Sequence, residues 1–105
     1  MRPLSPELLA LHKAKNLLCS FDRWCQGTPY RVRYQDPPQM CLGHAIKIAA
    51  DSLWLEGKII ERIYRIIGTQ SIPTWNDNMD RRYADVMDVL EKAILAAEQE
   101  WAKAA

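Results

Sequence analysis

Cys41 and His44 stand three residues apart, which makes them neighbours on one face of any helix that contains both. A thiol beside an imidazole is the pairing used by cysteine nucleophiles, because the ring takes the proton and leaves the reactive thiolate. Asn76 or Asp77 could orient that ring, so Cys41, His44 and Asp77 form the candidate catalytic set. Together with Cys25 or Asp77, the same pair offers the sulfur and nitrogen donors that Zn²⁺ prefers. Only two ligands are local, however, and no second pair follows at finger spacing. Neither a metal site nor a cofactor is therefore expected, and the bland alternative is a small buried cysteine beside a hydrogen-bonded histidine.

Two further groups could recognise a partner. Trp24, Trp75, Asn76 and Asp77 have the makings of a ligand pocket, with two aromatic walls and two polar hands. The local reading of Trp75-Asn76-Asp77-Asn78 is preferred, since Asn and Asp side chains end connectors and cap the helix that follows. Trp54 lies between Leu53 and Leu55, and three such neighbours cannot all face inward from one helix. An aromatic surface is expected there, flanked by Lys58, Arg62 and Arg65 and extended by Arg31 and Arg33 if the fold allows. The segment Tyr30-Arg31-Val32-Arg33-Tyr34 also has the aromatic-basic alternation of a single-strand nucleic-acid binder. Residues 1–50 carry seven basic against three acidic side chains, and residues 51–105 seven against ten. No dense basic run exists, so nucleic acid is not the expected partner.

The elements that must position these residues read as helices. Ser5, Pro6 and Glu7 open the first, and Leu8, Leu11, Ala14, Leu18, Phe21 and Cys25 step by three or four, predicting a helix from Pro6 to about Cys25 before Gly27. A long connector over 28–37 follows, with room for a short extended segment. Within it Tyr30, Val32 and Tyr34 share one side, either packing on the helices or forming one arm of a small hairpin. A second helix is expected over Pro38 to Ala50, and a third from Asp51 or Ser52 to Gly68 with Leu55, Ile59, Ile60, Ile63, Ile66 and Ile67 on its buried side. A polar connector over 69–79 leads to a fourth helix starting near Asp80, with Tyr83, Val86, Met87, Leu90, Ala93, Ile94, Ala97 and Trp101 as its stripe.

At 105 residues, with 49% hydrophobic and 26% charged side chains, one all-α domain over 1–105 is expected, a bundle of about four helices. No apolar run approaches the roughly 20 residues of a membrane span. The N-terminal residues lack the clean apolar stretch of a secretory signal. A net charge of +1 argues against a general polyanion binder. Three cysteines without a CxxC pair suit a reducing compartment, so a cytoplasmic location is expected.

Trp24-Cys25-Gln26-Gly27, then Cys41-Leu42-Gly43-His44-Ala45-Ile46, then Trp75-Asn76-Asp77 ahead of Asp85-Val86 make an ordered trio. In order and spacing, over about residues 17 to 97, they resemble a family of small bacterial and phage-borne proteins of unknown function. This chain departs from the pattern at Arg82, where a small capping residue is usual, and at His44, where a small or apolar one is. The resemblance implies a helical fold and brings no activity with it. Composition and patterning point to a non-catalytic protein-interaction module, possible as a homodimer, carried by a phage or mobile element and without a membrane. The alternative is a small ligand-binding protein or enzyme using Cys41 and His44 with Asn76 and Asp77.

Overall fold

The computed structural model describes residues 5–32, 38–68 and 71–104. Ser5 accepts a hydrogen bond from Leu8 N (3.1 Å), and Pro6 fills the first turn of α1, Pro6–Leu17. Ser52 does the same for α3, Leu53–Ile67, through Leu55 N (3.1 Å), and Gly68 ends that helix at a φ of 94°. Between them lie a 3₁₀ turn at Phe21–Arg23, strands β1 (Tyr30–Arg31) and β2 (Gln39–Met40), and α2, Leu42–Ala49. A five-residue α4, Ile72–Asn76, and the long α5, Tyr83–Lys103, complete the order. The protein is all-α apart from that two-stranded antiparallel sheet, in which Tyr30 pairs with Met40 and Arg31 with Gln39.

Four expectations need correcting. Helix α1 stops at Leu17 rather than near Cys25, although Phe21 and Cys25 continue its stripe. Tyr83 donates its hydroxyl to the Leu18 carbonyl (2.5 Å), and Ser20 to the Asp22 carboxylate, so the chain turns out of the helix. The second helix begins at Leu42 instead of Pro38, because Gln39 and Met40 pair with β1 and Cys41 takes the capping position. The 69–79 connector contains α4, capped by Ser71 through Thr74 N (3.2 Å). The last helix starts at Tyr83. Asp80 does not cap it; Arg82 holds the N-cap position, and the Asp85 carboxylate reaches back to accept from Arg82 N (2.9 Å). The extended segment forms one arm of a small hairpin: Tyr30 is partly exposed with its ring against His44 of α2, Val32 is exposed, and Arg33 and Tyr34 lie outside the described residues.

One buried apolar cluster joins the helices. Leu8, Leu11 and Leu18 meet Leu42 and Ile46 of α2, Ile59 and Ile63 of α3, and Val86 and Leu90 of α5, all essentially without exposure. At 3.6 residues per turn, the 55/59/63 stripe of α3 faces this cluster, leaving one flank through 54, 58 and 62 and another through 56, 60 and 64. Those two flanks border different surfaces. Among the described residues, no helix is long and apolar enough to cross a membrane.

Candidate functional site

The three short motifs meet at one side chain. Asn76 ends α4 with no exposure, and its amide uses two acceptor and two donor positions. Oδ1 accepts from Trp24 Nε1 (2.7 Å) and from Leu42 N (3.1 Å). Nδ2 donates to the Cys25 carbonyl (3.1 Å) and to Asp77 Oδ1 (3.0 Å). Gln26 Nε2 donates to the carbonyls of Asn76 and Asn78, each at 2.8 Å. Asp77 Oδ1 also accepts from Gly27 N (3.0 Å), where the backbone adopts a φ of 80° that favours glycine. The Trp24, Cys41-Leu42 and Trp75-Asn76 segments are thus tied together by a satisfied polar hub. Asn76 is no helix cap for α5; Trp24, Trp75 and Asn76 are buried in the hub, Trp24 also bordering a surface cavity. Arg81 secures the outer side, stacking its guanidinium on Trp75 at 3.9 Å and donating to the Trp75 carbonyl (2.9 Å).

Cys41, His44 and Asp77 line one groove of about 740 Å³ between α2, the 56/60/64 flank of α3, α4 and the turn at 27–29. Its walls are largely apolar, with Pro29, Ile60, Ile72 and Pro73, and Lys47 and Glu56 at its edge. Within it the thiol caps α2, accepting from His44 backbone N at 3.4 Å. The imidazole is packed on the Tyr30 ring, centroids 5.3 Å apart. Asp77 uses Oδ1 for the hub. The catalytic set therefore shares one groove, yet each member carries a structural contact. Among the described residues, no three His, Cys, Asp or Glu side chains gather as metal ligands; Cys19 and Cys41 are free thiols, and the Cys25 thiol donates to the Thr28 carbonyl.

The opposite flank of α3 borders a different surface. Leu53 is 86% exposed and Trp54 70%, with the Lys58 ammonium 5.1 Å from the Trp54 ring. A cleft of about 260 Å³ beside them is walled by Pro6, Trp54, Leu55 and Trp101, and a second, of about 380 Å³, shares Pro6 and Leu55 and reaches exposed Leu9. Arg62 does not extend this surface as a free cation. Its Nε donates to Glu7 Oε2 (2.5 Å), and Nη2 reaches Glu7 Oε1 (3.2 Å) and Glu100 Oε2 (2.5 Å). Bonding to Glu7, outweighing burial, raises the Arg62 pKa, and bonding to Arg62 holds the Glu100 carboxyl below its usual range. Arg65 pairs with Glu61 (2.6 Å), and Arg31 lies on β1, away from this end, its Nη2 3.4 Å from the Gln26 carbonyl. No local spacing in the sequence marks Glu7 or Glu100 as partners of Arg62, 55 residues and 38 residues away.

A small all-α protein, with a polar hub joining three motifs and an exposed aromatic end, is the class these features define. The chain belongs to a family of unknown function (DUF6197), matched over residues 4–96. No curated protein and no solved structure matches it.

Proposed function

We propose that this protein is a non-catalytic interaction module that docks a partner protein through the exposed end formed by α1, the start of α3 and the end of α5. The observation that carries this reading is the pair Leu53 and Trp54, which present large apolar side chains to solvent although a complete core lies one helix face away. Lys58 and the Arg62–Glu7–Glu100 group rim the surface with fixed charge, the usual surround of an apolar anchor. A second copy of the chain is one partner this surface fits. Free thiols suit a cytoplasmic setting, and the family resemblance suits a phage or mobile-element origin. A photo-crosslinker at position 54, with a control at exposed Asp88, tests the proposal in the native host. A discrete adduct specific to position 54 supports it; equal labelling from both positions overturns it.

A second reading rests on the shared groove of Cys41, His44 and Asp77, which has the volume of a small-molecule site. In that case the groove binds a mainly apolar ligand, with the thiol and imidazole at one wall. Alkylation kinetics separate the readings: a Cys41 thiol reacting faster than exposed Cys19 favours the groove, and the reverse order favours the interaction module.

A further inference from the structure

Cys25 and Cys41 belong to separate motifs, yet the backbone sets them side by side. Met40 forms a parallel bridge with Trp24, and its carbonyl accepts from Cys25 N (3.1 Å). The Asn76 amide spans the same junction, donating to the Cys25 carbonyl (3.1 Å) and accepting from Leu42 N (3.1 Å). Trp24 and Met40 are both extended and both enter the core, so the residues that follow them turn together to the opposite face. One turn covers that face: the Thr28 carbonyl accepts from the Cys25 thiol (3.3 Å), and the Pro29 carbonyl from Cys41 N (2.9 Å). Neighbouring strands lie about 4.8 Å apart, inside the roughly 4.4–6.8 Å between Cα atoms that a disulfide spans.

Both sulfurs are reduced and engaged, Cys25 at the Thr28 carbonyl and Cys41 with the backbone N–H of His44 (3.4 Å). Cys25 is 4% exposed, whereas Cys41 lines the groove between α2 and α4, which gives a small reagent a route to residue 41. Joining the two sulfurs breaks the bond to Thr28 and takes the cap from α2. Gly27, Thr28, Pro29 and His44 all line the groove, so its wall changes with the state of the thiols. Where disulfides form in a reducing compartment, they are typically transient and act as sensors.

We propose that Cys25 and Cys41 form a redox-sensitive dithiol that hydrogen peroxide closes to a disulfide, reshaping the groove. The Cys41 thiol loses its proton and its sulfur attacks one peroxide oxygen. The O–O bond breaks, and the departing hydroxide takes up that proton as water. The Cys25 sulfur then attacks the sulfenic acid at Cys41. An S–S bond forms, the S–O bond breaks, and the Cys25 proton leaves with the hydroxyl as a second water. Two thiols give up two electrons, and one peroxide is reduced to two waters. The pair is separate from the Trp54 surface, so the two proposals fail independently.

The test is hydrogen peroxide treatment of the folded full chain, read by intact mass, peptide mapping and backbone-amide NMR. The chain is expected to lose two hydrogen atoms, with one pair of peptides joined through Cys25 and Cys41, and dithiothreitol should restore it. The Thr28 and His44 amides should shift on oxidation while the Trp54 indole signal stays where it was. Cys19→Ser, at an exposed position, should leave the product unchanged. Cys25→Ser should hold Cys41 as a sulfenic acid that dimedone traps, with about tenfold less adduct at Cys41 in the unmodified chain. Oxidation confined to Cys19, equal dimedone trapping at Cys41 in both chains, or a Cys25–Cys41 bond that leaves the Thr28 and His44 amides unmoved would overturn the proposal.

Discussion

Trp24 and Trp54 are the same residue in opposite circumstances. Trp24 is buried, and its indole N–H is spent on Asn76 at 2.7 Å. Trp54 is mostly in water, with a lysine ammonium over its ring and a shallow cleft beside it. Around Trp24, every polar group of the Asn76 amide is matched, because an unmatched one in that dry setting would cost about 1–3 kcal/mol. Around Trp54, nothing internal requires the apolar surface. The contrast separates residues that hold the chain together from residues left over for another molecule, and both kinds come from motifs that look equally purposeful in one dimension.

The largest break in that contrast is expected from Asn76→Ala. It strands the Trp24 indole N–H, Leu42 N and the Cys25 carbonyl, and denaturant unfolding should register a loss of about 4 kcal/mol. Asn76→Asp should also destabilise, since a carboxylate cannot donate to the Cys25 carbonyl and faces the Asp77 carboxylate. Next comes Arg62→Ala, which leaves Glu7 buried at 5% exposure without its cation; about 3 kcal/mol is expected in the same experiment.

Trp54→Ala should move stability by no more than about 0.5 kcal/mol, as for other exposed positions, while abolishing partner docking or self-association. A stability loss as large as that of a core truncation would show that Trp54 belongs to the fold after all. The smallest effect concerns acid. The folded-state pKa of Glu100 is lowered by its hydrogen bond to Arg62, so its stabilisation is present above the ordinary glutamate value of 4.5 and disappears as pH falls through the folded value. Glu100→Gln should therefore flatten that part of the stability-versus-pH curve and leave the fold otherwise intact. Added salt should weaken the same contribution, because Glu100 itself is exposed.

Much of the helical plan could be read in one dimension. Helix α3 has a serine cap, one apolar stripe and a terminal glycine, so its span from Leu53 to Ile67 follows from local rules. The apolar period overruns helix α1, because Phe21 and Cys25 keep it while the forces that end the helix come from Tyr83, 65 residues away from Leu18. Helix α4 has five residues, too few for any period to register, although Ser71 and Pro73 mark its start. The hub was invisible for a related reason. Asn76 has the chemistry of a cap, and only its distant partners, Leu42 and Trp24, reveal that it joins three segments. Arg62 looked like a surface cation because Glu7 lies 55 residues earlier. Trp54 could be anticipated, since its crowding by Leu53 and Leu55 is local.

Hydrogen exchange at the two indole N–H groups tests the central contrast directly, within one NMR sample of the unmodified protein. The Trp24 indole should exchange only through unfolding of the hub, with protection approaching that of the core amides, while the Trp54 indole exchanges at the rate of free tryptophan. Equal, rapid exchange at both would contradict the account, because Asn76 would then not hold the three segments together.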